Sequence, residues 1–257
     1  MNMYINWIGV RTIFLKEIGR SKDVVIQAFL SPVISTALYF VVFGSAIGSR
    51  MEAHQSVPYA AFIVPGLILM ALLMNALMAA SSGIYFPRFI GTIGDLLSAP
   101  LSSFEIAIGF ALSAMARSLA IGCTIYIVAA LLTPIPIVHP IAVIFLSLLV
   151  TLTFSLLGLA LGIWAKDFEQ LSIVPTLVLT PLSFLGGIFY SIEMLPATWQ
   201  AITRVNPIFY MIDGLRWSFF GVSDTDPIIC FALVFAFFVL SVVILARLFQ
   251  AHSGLRQ

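Results

Sequence analysis

An all-α membrane protein of six transmembrane helices is the fold class the sequence predicts, and three observations carry it. The 257 residues are 61% hydrophobic and 9% charged, with a mean hydropathy of +1.12. A soluble domain carries roughly 25% charged residues, so this chain cannot wet its own surface. The apolar runs are far longer than the roughly ten-residue alternating strands of a barrel and approach the roughly 20 residues with which a helix crosses a bilayer. Finally, Leu171 to Gly221 combines apolar length with so many helix breakers that it cannot form one ordinary membrane helix. No soluble domain fits between the spans, so residues 1–257 read as a single membrane domain.

Residues 1–23 precede any long apolar run. They carry no small-residue cleavage site after a short apolar core, so a cleaved signal peptide is not expected. Tyr4, Trp7, Ile8, Phe14, Leu15 and Ile18 recur at helical spacing, with Arg11, Lys16, Glu17 and Arg20 elsewhere on the wheel. That pattern predicts an amphipathic helix lying in the membrane plane. The spans follow at about 24–48, 58–82, 104–132 and 140–164, a fifth beginning at Leu171, and a sixth at about 227–249.

In the fifth span Pro175, Pro181 and the pair Gly186 and Gly187 interrupt the helix. Such breaks survive in lipid only where protein or a water-filled cavity covers the freed backbone groups. An amphipathic run from Met194 to Val205, then Asn206-Pro207 and a mixed stretch to Phe220, predict that residues 186–221 reach the far surface, dip back and return. Asp213 and Arg216, three apart, are placed to form a local ion pair.

With both termini on one side, that side holds Arg11, Lys16, Arg20, Lys22, Arg88, Lys166, Arg247 and Arg256, and the other only Arg50, Arg204 and Arg216. The positive-inside rule then puts both termini in the cytoplasm. The inner loop 83–103 is too long and too apolar for a simple connector. Ile90, Ile93, Leu96 and Leu97 at helical spacing, with Arg88 and Asp95 off that stripe, predict a short helix ending before Pro100. Its apolar side needs a cover: a partner, or else the membrane surface or the protein's own span ends. The second inner patch, Lys166 to Glu169, reads as a solvated turn.

Arg117 falls near the middle of the third span, where a charge is costly and marks a functional candidate. It lines a pathway, binds a lipid phosphate, or serves as an interhelical strut paired with carbonyls or with a carboxylate such as Glu105. Asn75, Ser113, Ser147, Thr151, Thr153 and Ser155 read as interhelical hydrogen-bond formers, and Gly158, Ala160 and Gly162 as sites of close helix approach. Cys123 and Cys230 lie inside apolar spans as small hydrophobes.

Catalytic signatures are missing. There is no GxxxxGK[ST] loop for nucleotide phosphates, no HExxH and no GxSxG, and His54, His139 and His252 are scattered, so no catalytic or metal-ligating set is assigned. A net charge of +1 gives no nucleic-acid signal. Any work against a gradient must draw its energy from elsewhere.

Several segments resemble one family. LKEIGRSKDVVIQAFLSPVISTALYFVVFGSAIGSR, FIVPGLILM, IGDLLSAPLSSFEI, and above all PTLVLTPLSFLGGIFYSIEMLP with NPIFYMIDGLRW, are similar in order to the permeases of ABC-2 type exporters, nearest to the YadH-type inner-membrane permeases of bacteria. The resemblance implies a type V exporter-like homodimer in the bacterial inner membrane. Each subunit would be bound from the cytoplasm by a separate ABC ATP-binding subunit, two copies in all, with ATP and Mg held there and no cofactor on this chain. It further implies that Arg88 to Leu101 matches the coupling helix, that the N-terminal helix matches the interface helix beside it, and that the segment after Gly186 matches the short re-entrant helices over the dimer cavity. Spans one, two and five would line the route, with Phe40, Phe43, Met70, Met74, Phe184 and Phe189 as pathway candidates. Tyr39 and Leu69 belong with them, and all suit a lipid-like cargo or ordinary packing equally. Members of the family export polysaccharides, lipid-linked glycans or hydrophobic drugs.

Two other classes fit less well. An ion- or proton-coupled secondary transporter needs ionisable groups near the midplane and often an internal repeat; only Arg117 qualifies, and the halves show no repeat. A membrane-embedded lipid-modifying enzyme or protease needs a nucleophile with a base, or a metal cluster, facing one cavity. The sequence offers neither.

Overall fold

The structure is a computed structural model that describes residues 6–22, 30–46 and 57–253. Among them every regular element is helical. The chain runs through α1 (Trp7–Lys22), α2 (Ser31–Ala46), α3 (Tyr59–Phe62), α4 (Val64–Ile90), α5 (Ile93–Ser98), α6 (Ser103–Leu132) and α7 (Pro140–Trp164). It continues through α8 (Phe168–Ile173), a π-helical segment (Val174–Leu179) and α9 (Thr180–Leu185), then a 3₁₀ turn (Ile192–Met194), α10 (Ala197–Val205), α11 (Pro207–Phe220) and α12 (Pro227–Ser253).

Five helices are long and apolar enough to cross a bilayer: Tyr59–Ile90, Ser103–Leu132, Pro140–Trp164, Phe168–Leu185 and Pro227–Gln250. The first expected span, about 24–48, is represented by α2, whose apolar stretch Val33–Val42 is shorter; residues 23–29 and 47–56 lie outside the described ones. The second span is longer than its sequence pattern predicts. Helix continues past Ser82, takes Pro87 within its last turns, and stops only where Gly91 adopts φ +84°. A left-handed residue closes a helix at little cost only when it is glycine.

α4 forms the centre because it is apolar around its whole circumference. Some 78% of its apolar window is buried, against 22% for the terminal helix. α7 and α6 flank it, α12 lies on α7, α1 lies along α6, and α11 fills the angle between α4, α7 and α12. The approach of α4 to α7 depends on glycine. A Cβ added to Gly162 would lie 2.5 Å from the Ser81 carbonyl oxygen, and one on Gly158 would strike the carbonyl of Leu77. Both positions match the close packing read from the sequence, the means by which membrane helices gain dispersion contact.

The breakers in the fifth span are absorbed differently from the expected interruption. Pro175 and Pro181 sit inside one continuous helix, because the widened π turns leave room for the missing amide. The Thr180 hydroxyl donates 3.0 Å to the Pro175 carbonyl. The actual stop is Gly186 and Gly187, the latter at φ +84°.

Candidate functional sites at the two ends of the bundle

At the end that carries α1, the first contact is made by Glu105. With Ser102 it forms a capping box at the start of α6, and its Oε1 also accepts the backbone N–H of Asn6 at 2.5 Å. One carboxylate thus ties the beginnings of α1 and α6 together. Further along, Val10 and Ile13 close over Gly109, where a Cβ would stand 2.8 Å from that of Ile13. The buried face of α1 is therefore Val10, Ile13 and Glu17. Trp7, Ile8 and Leu15, on the stripe expected to face the membrane, are 63%, 81% and 52% exposed and free of the helices that bury Val10, Ile13 and Glu17. The i, i+3, i+7 spacing of Val10, Ile13 and Glu17 carried that signal, masked by the carboxylate.

Arg11, Lys16 and Arg20 are exposed, whereas Glu17 is buried and pairs with Arg20 at 2.6 Å. Burial raises the Glu17 carboxyl above the ordinary range, opposed by the charges of Arg20, Lys16 and Arg117. Arg117 consequently does not stand alone at mid-span, and Glu105 is committed to the cap and to Asn6. The charge of Arg117 is felt by Glu17 of α1, an influence between segments about 100 residues apart that no local pattern reveals.

Arg88 and Ile90 belong to the last turn of α4, since Gly91 separates them from α5. The Arg88 guanidinium donates to the carbonyls of Gly162 (3.0 Å) and Ile163 (2.6 Å), two of the acceptors orphaned at the end of α7. Ile90 is 69% exposed, Ile93 half-buried and Pro100 exposed. The side chains of Asp95, Leu96 and Leu97, like that of Phe43, lie outside the described ones. Beside them Phe86 meets Phe168 with ring centroids 6.0 Å apart, and Phe89 is 75% exposed. A cavity of about 500 Å³, lined among others by Lys16, Glu17, Thr92 and Leu101, separates α1 from the loop that contains α5.

At the opposite end a polar knot is almost fully buried. Asp213 accepts the backbone N–H groups of Asp224 (2.9 Å) and Thr225 (2.8 Å). Asp224 accepts from the Ser191 hydroxyl (2.7 Å) and the Ile192 amide (3.0 Å), and its ion pair is with Arg216 at 3.8 Å. Arg216 also donates 2.8 Å to the Gly187 carbonyl and lies 3.8 Å over the ring of Phe62. Asp213 is thus a backbone clasp, and the partner of Arg216 lies eight residues further on, not in the expected local pair. Asn206 caps α11 and donates to Leu182 at 2.6 Å. Residues 186–226 are thereby locked to the end of the fifth span and to the start of the second.

The pathway candidates divide. Tyr39, Phe184 and Phe189 come together, with centroids 6.1 and 5.6 Å apart, and the Tyr59 hydroxyl donates to the Phe189 carbonyl. Phe40 is buried against α4 and α6 beside Leu67 and Ile125, and Met70 and Met74 are partly buried on α4. The expected interhelical polar contacts mostly fall within single helices. Asn75, Ser113, Thr151, Thr153 and Ser155 each donate to a carbonyl of their own turn. Ser118, buried on α6 and not among these, does bond across, donating to the Leu72 carbonyl of α4 at 2.6 Å. Ser118→Ala is expected to lower stability by about 0.6 kcal/mol, the size typical of such bonds between membrane helices, readable by equilibrium unfolding in mixed micelles.

Among the described residues no three His, Cys, Asp or Glu side chains stand close enough to hold a metal ion. Comparison with known proteins gives a consistent answer. The profile of the family described as ABC-2 type transporter matches residues 10–220. Inner membrane transport permease YadH of Escherichia coli (strain K12) is 38% identical over 255 residues, covering 99% of both chains. Nodulation protein J of Rhizobium leguminosarum bv. viciae is 24% identical over 259 residues, covering 96% of each, and that of Neorhizobium galegae is 26% identical over 257. A match to most of the chain by the profile, and to all but a few residues by a relative at this identity, leads to one conclusion: this protein belongs to the ABC-2 type transporter family, as a multi-pass membrane transport permease.

Proposed function

We propose that this chain is the permease subunit of an ATP-driven exporter of the bacterial inner membrane. It works as a homodimer of six-span subunits, α2 completing the sixth span, with both termini in the cytoplasm and one ABC ATP-binding subunit docked beneath each copy. The observation that carries the reading is the surface at the basic end. Phe89, Ile90 and Phe168 are exposed there, next to α5, while Arg88 fastens that surface to the end of α7. Large apolar groups beyond the end of a spanning helix need a protein cover. A rigid link from them to α7 lets a push from that cover reach the spans.

On this reading residues 88–101 receive the motion of the ATP-binding subunits and α1 braces it. The locked segment 186–221 roofs the pathway on the far side, and Phe184 and Phe189 stand at its entrance. The cargo is lipid-like, a glycan or a hydrophobic drug. ATP and Mg act on the partner subunit, and the permease itself is non-catalytic. The partnership of Arg117 with α1 supports this reading over secondary transport, which requires a charge near the midplane.

Ile93→Glu, placed in α5, is expected to abolish co-purification of the ATP-binding subunit, while Val205→Glu at the other end, 84% exposed, leaves it intact. A stoichiometric, fully active complex with Ile93→Glu would exclude the docking role.

A further inference from the structure

We propose that Arg117 of α6, together with Arg20 and Lys16 of α1, forms a binding site for the phosphate of an acidic lipid at the inner boundary of the bilayer. The charge balance comes first. Glu17 is the carboxylate that faces these cations; it feels Arg20, Lys16 and Arg117 together and is already paired with Arg20 at 2.6 Å. Arg117 has no carboxylate to itself, and its Nε is buried without a hydrogen-bond partner. Among the described residues, three cations against one anion, half-covered by protein, leave an excess of positive charge where a phosphate oxygen is the natural acceptor.

Depth decides which phosphates can reach it. α6 has 30 residues, about 45 Å at 1.5 Å per residue, whereas about 30 Å suffices to cross hydrocarbon. Its first ten or so residues, with Ser102, Glu105 and the contact to Asn6, therefore stand outside the hydrocarbon. Counted from Leu132, Arg117 lies about 22 Å in, which leaves it within about two turns of the inner boundary. An arginine stem spans that distance, and the guanidinium snorkels to headgroup level. α1 runs alongside α6 toward the same level, Asn6 standing at Glu105 and Ile13 at Gly109, so that the later turns of α1 carry the exposed Lys16 and Arg20 in the direction of Arg117. Basic pockets between helices at the cytoplasmic boundary take lipid phosphates.

The site rests on the orientation proposed above but not on coupling to an ATPase, and its test is arranged accordingly. The full-length chain, purified alone and delipidated, is titrated by native mass spectrometry with phosphatidylglycerol, phosphatidylcholine and a long-chain alkyl diphosphate. Phosphatidylglycerol is expected to bind in preference to phosphatidylcholine, and Arg117→Gln to bind it about tenfold more weakly, as for loss of one charge-assisted contact. Arg117→Lys keeps most of the affinity, and Arg11→Gln, exposed on another side of α1, changes nothing. Binding of the alkyl diphosphate alone, lost in Arg117→Gln, would assign the site to a phosphate-bearing cargo in place of a leaflet lipid. Should Arg117→Gln not fold, Arg20→Gln carries the same comparison. Wild-type affinity for phosphatidylglycerol in both Arg117→Gln and Arg20→Gln, or an equal loss in Arg11→Gln, overturns the proposal.

Discussion

Asp224→Ala is expected to cost about 3–5 kcal/mol, a value typical of removing one partner from a buried ion pair. Asp224 and Arg216 are each 3% exposed at the side chain, so neither regains water when the other is lost. Without Asp224 the guanidinium keeps the Gly187 carbonyl and the face of Phe62, but no counter-charge except Asp213, whose two oxygens already accept backbone amides. The Ser191 hydroxyl and the Ile192 amide lose their acceptor at the same time. Thermal unfolding in detergent measures the cost directly. The double variant Arg216→Met, Asp224→Leu is expected to cost clearly less than the sum of its single changes, because two apolar chains leave no orphaned charge. A melting temperature unchanged in Asp224→Ala would mean that the knot does not hold the segment after Gly186.

The knot also determines how that segment moves. It joins α11, the turn at 187–192 and Phe62 at the start of the second span, while Asn206 attaches it to Leu182. A Cβ at Gly66 would stand 2.9 Å from the Cα of Ile188, so the backbone itself lies against α4 there. The outer segment is thus expected to travel with the second and fifth spans as one body.

What could be read from the sequence follows from range. Pro140–Trp164 and the start of the last helix at Pro227 coincide with their patterns, because an uninterrupted apolar run bounded by proline leaves little choice. Glu105 in the first turn of α6, three residues after a serine, carries an equally local capping signal, although the sequence pattern offered it as a partner for Arg117. The misjudged features depend on what another segment supplies. Proline inside the 168–185 helix reads as a break until π turns accommodate it. Asp213 and Arg216 read as a pair until Asp224 competes for the cation across a loop. Glu17 reads as a polar position on an amphipathic wheel, yet it is buried where α1 packs on α4 and α6, with Arg20 of its own helix as counter-charge. Arg88 looked like part of the short inner helix, since nothing local announces that the carbonyls of Gly162 and Ile163 lie within its reach.

Gly158→Leu is expected to abolish the folded protein, with Gly158→Ala costing about 1–3 kcal/mol, the usual range for an overpacked core. The obstacle is backbone: a Cβ at 158 meets the Leu77 carbonyl and lies 3.0 Å from the Ala80 Cβ, and neither can rotate away. α7 would have to withdraw from α4 along its length, and the Gly162 contact with Ser81, one turn on, would open with it. Arg88 would then lose the Gly162 and Ile163 carbonyls, so a change in the membrane core would reach the inner surface. Gly19→Ala, where nothing stands within 4 Å of the new methyl group, supplies the control and is expected to behave as wild type. Size-exclusion profiles and melting curves of the three variants separate the outcomes. A monodisperse Gly158→Leu with wild-type stability would mean that α4 and α7 do not approach as closely as the glycines require.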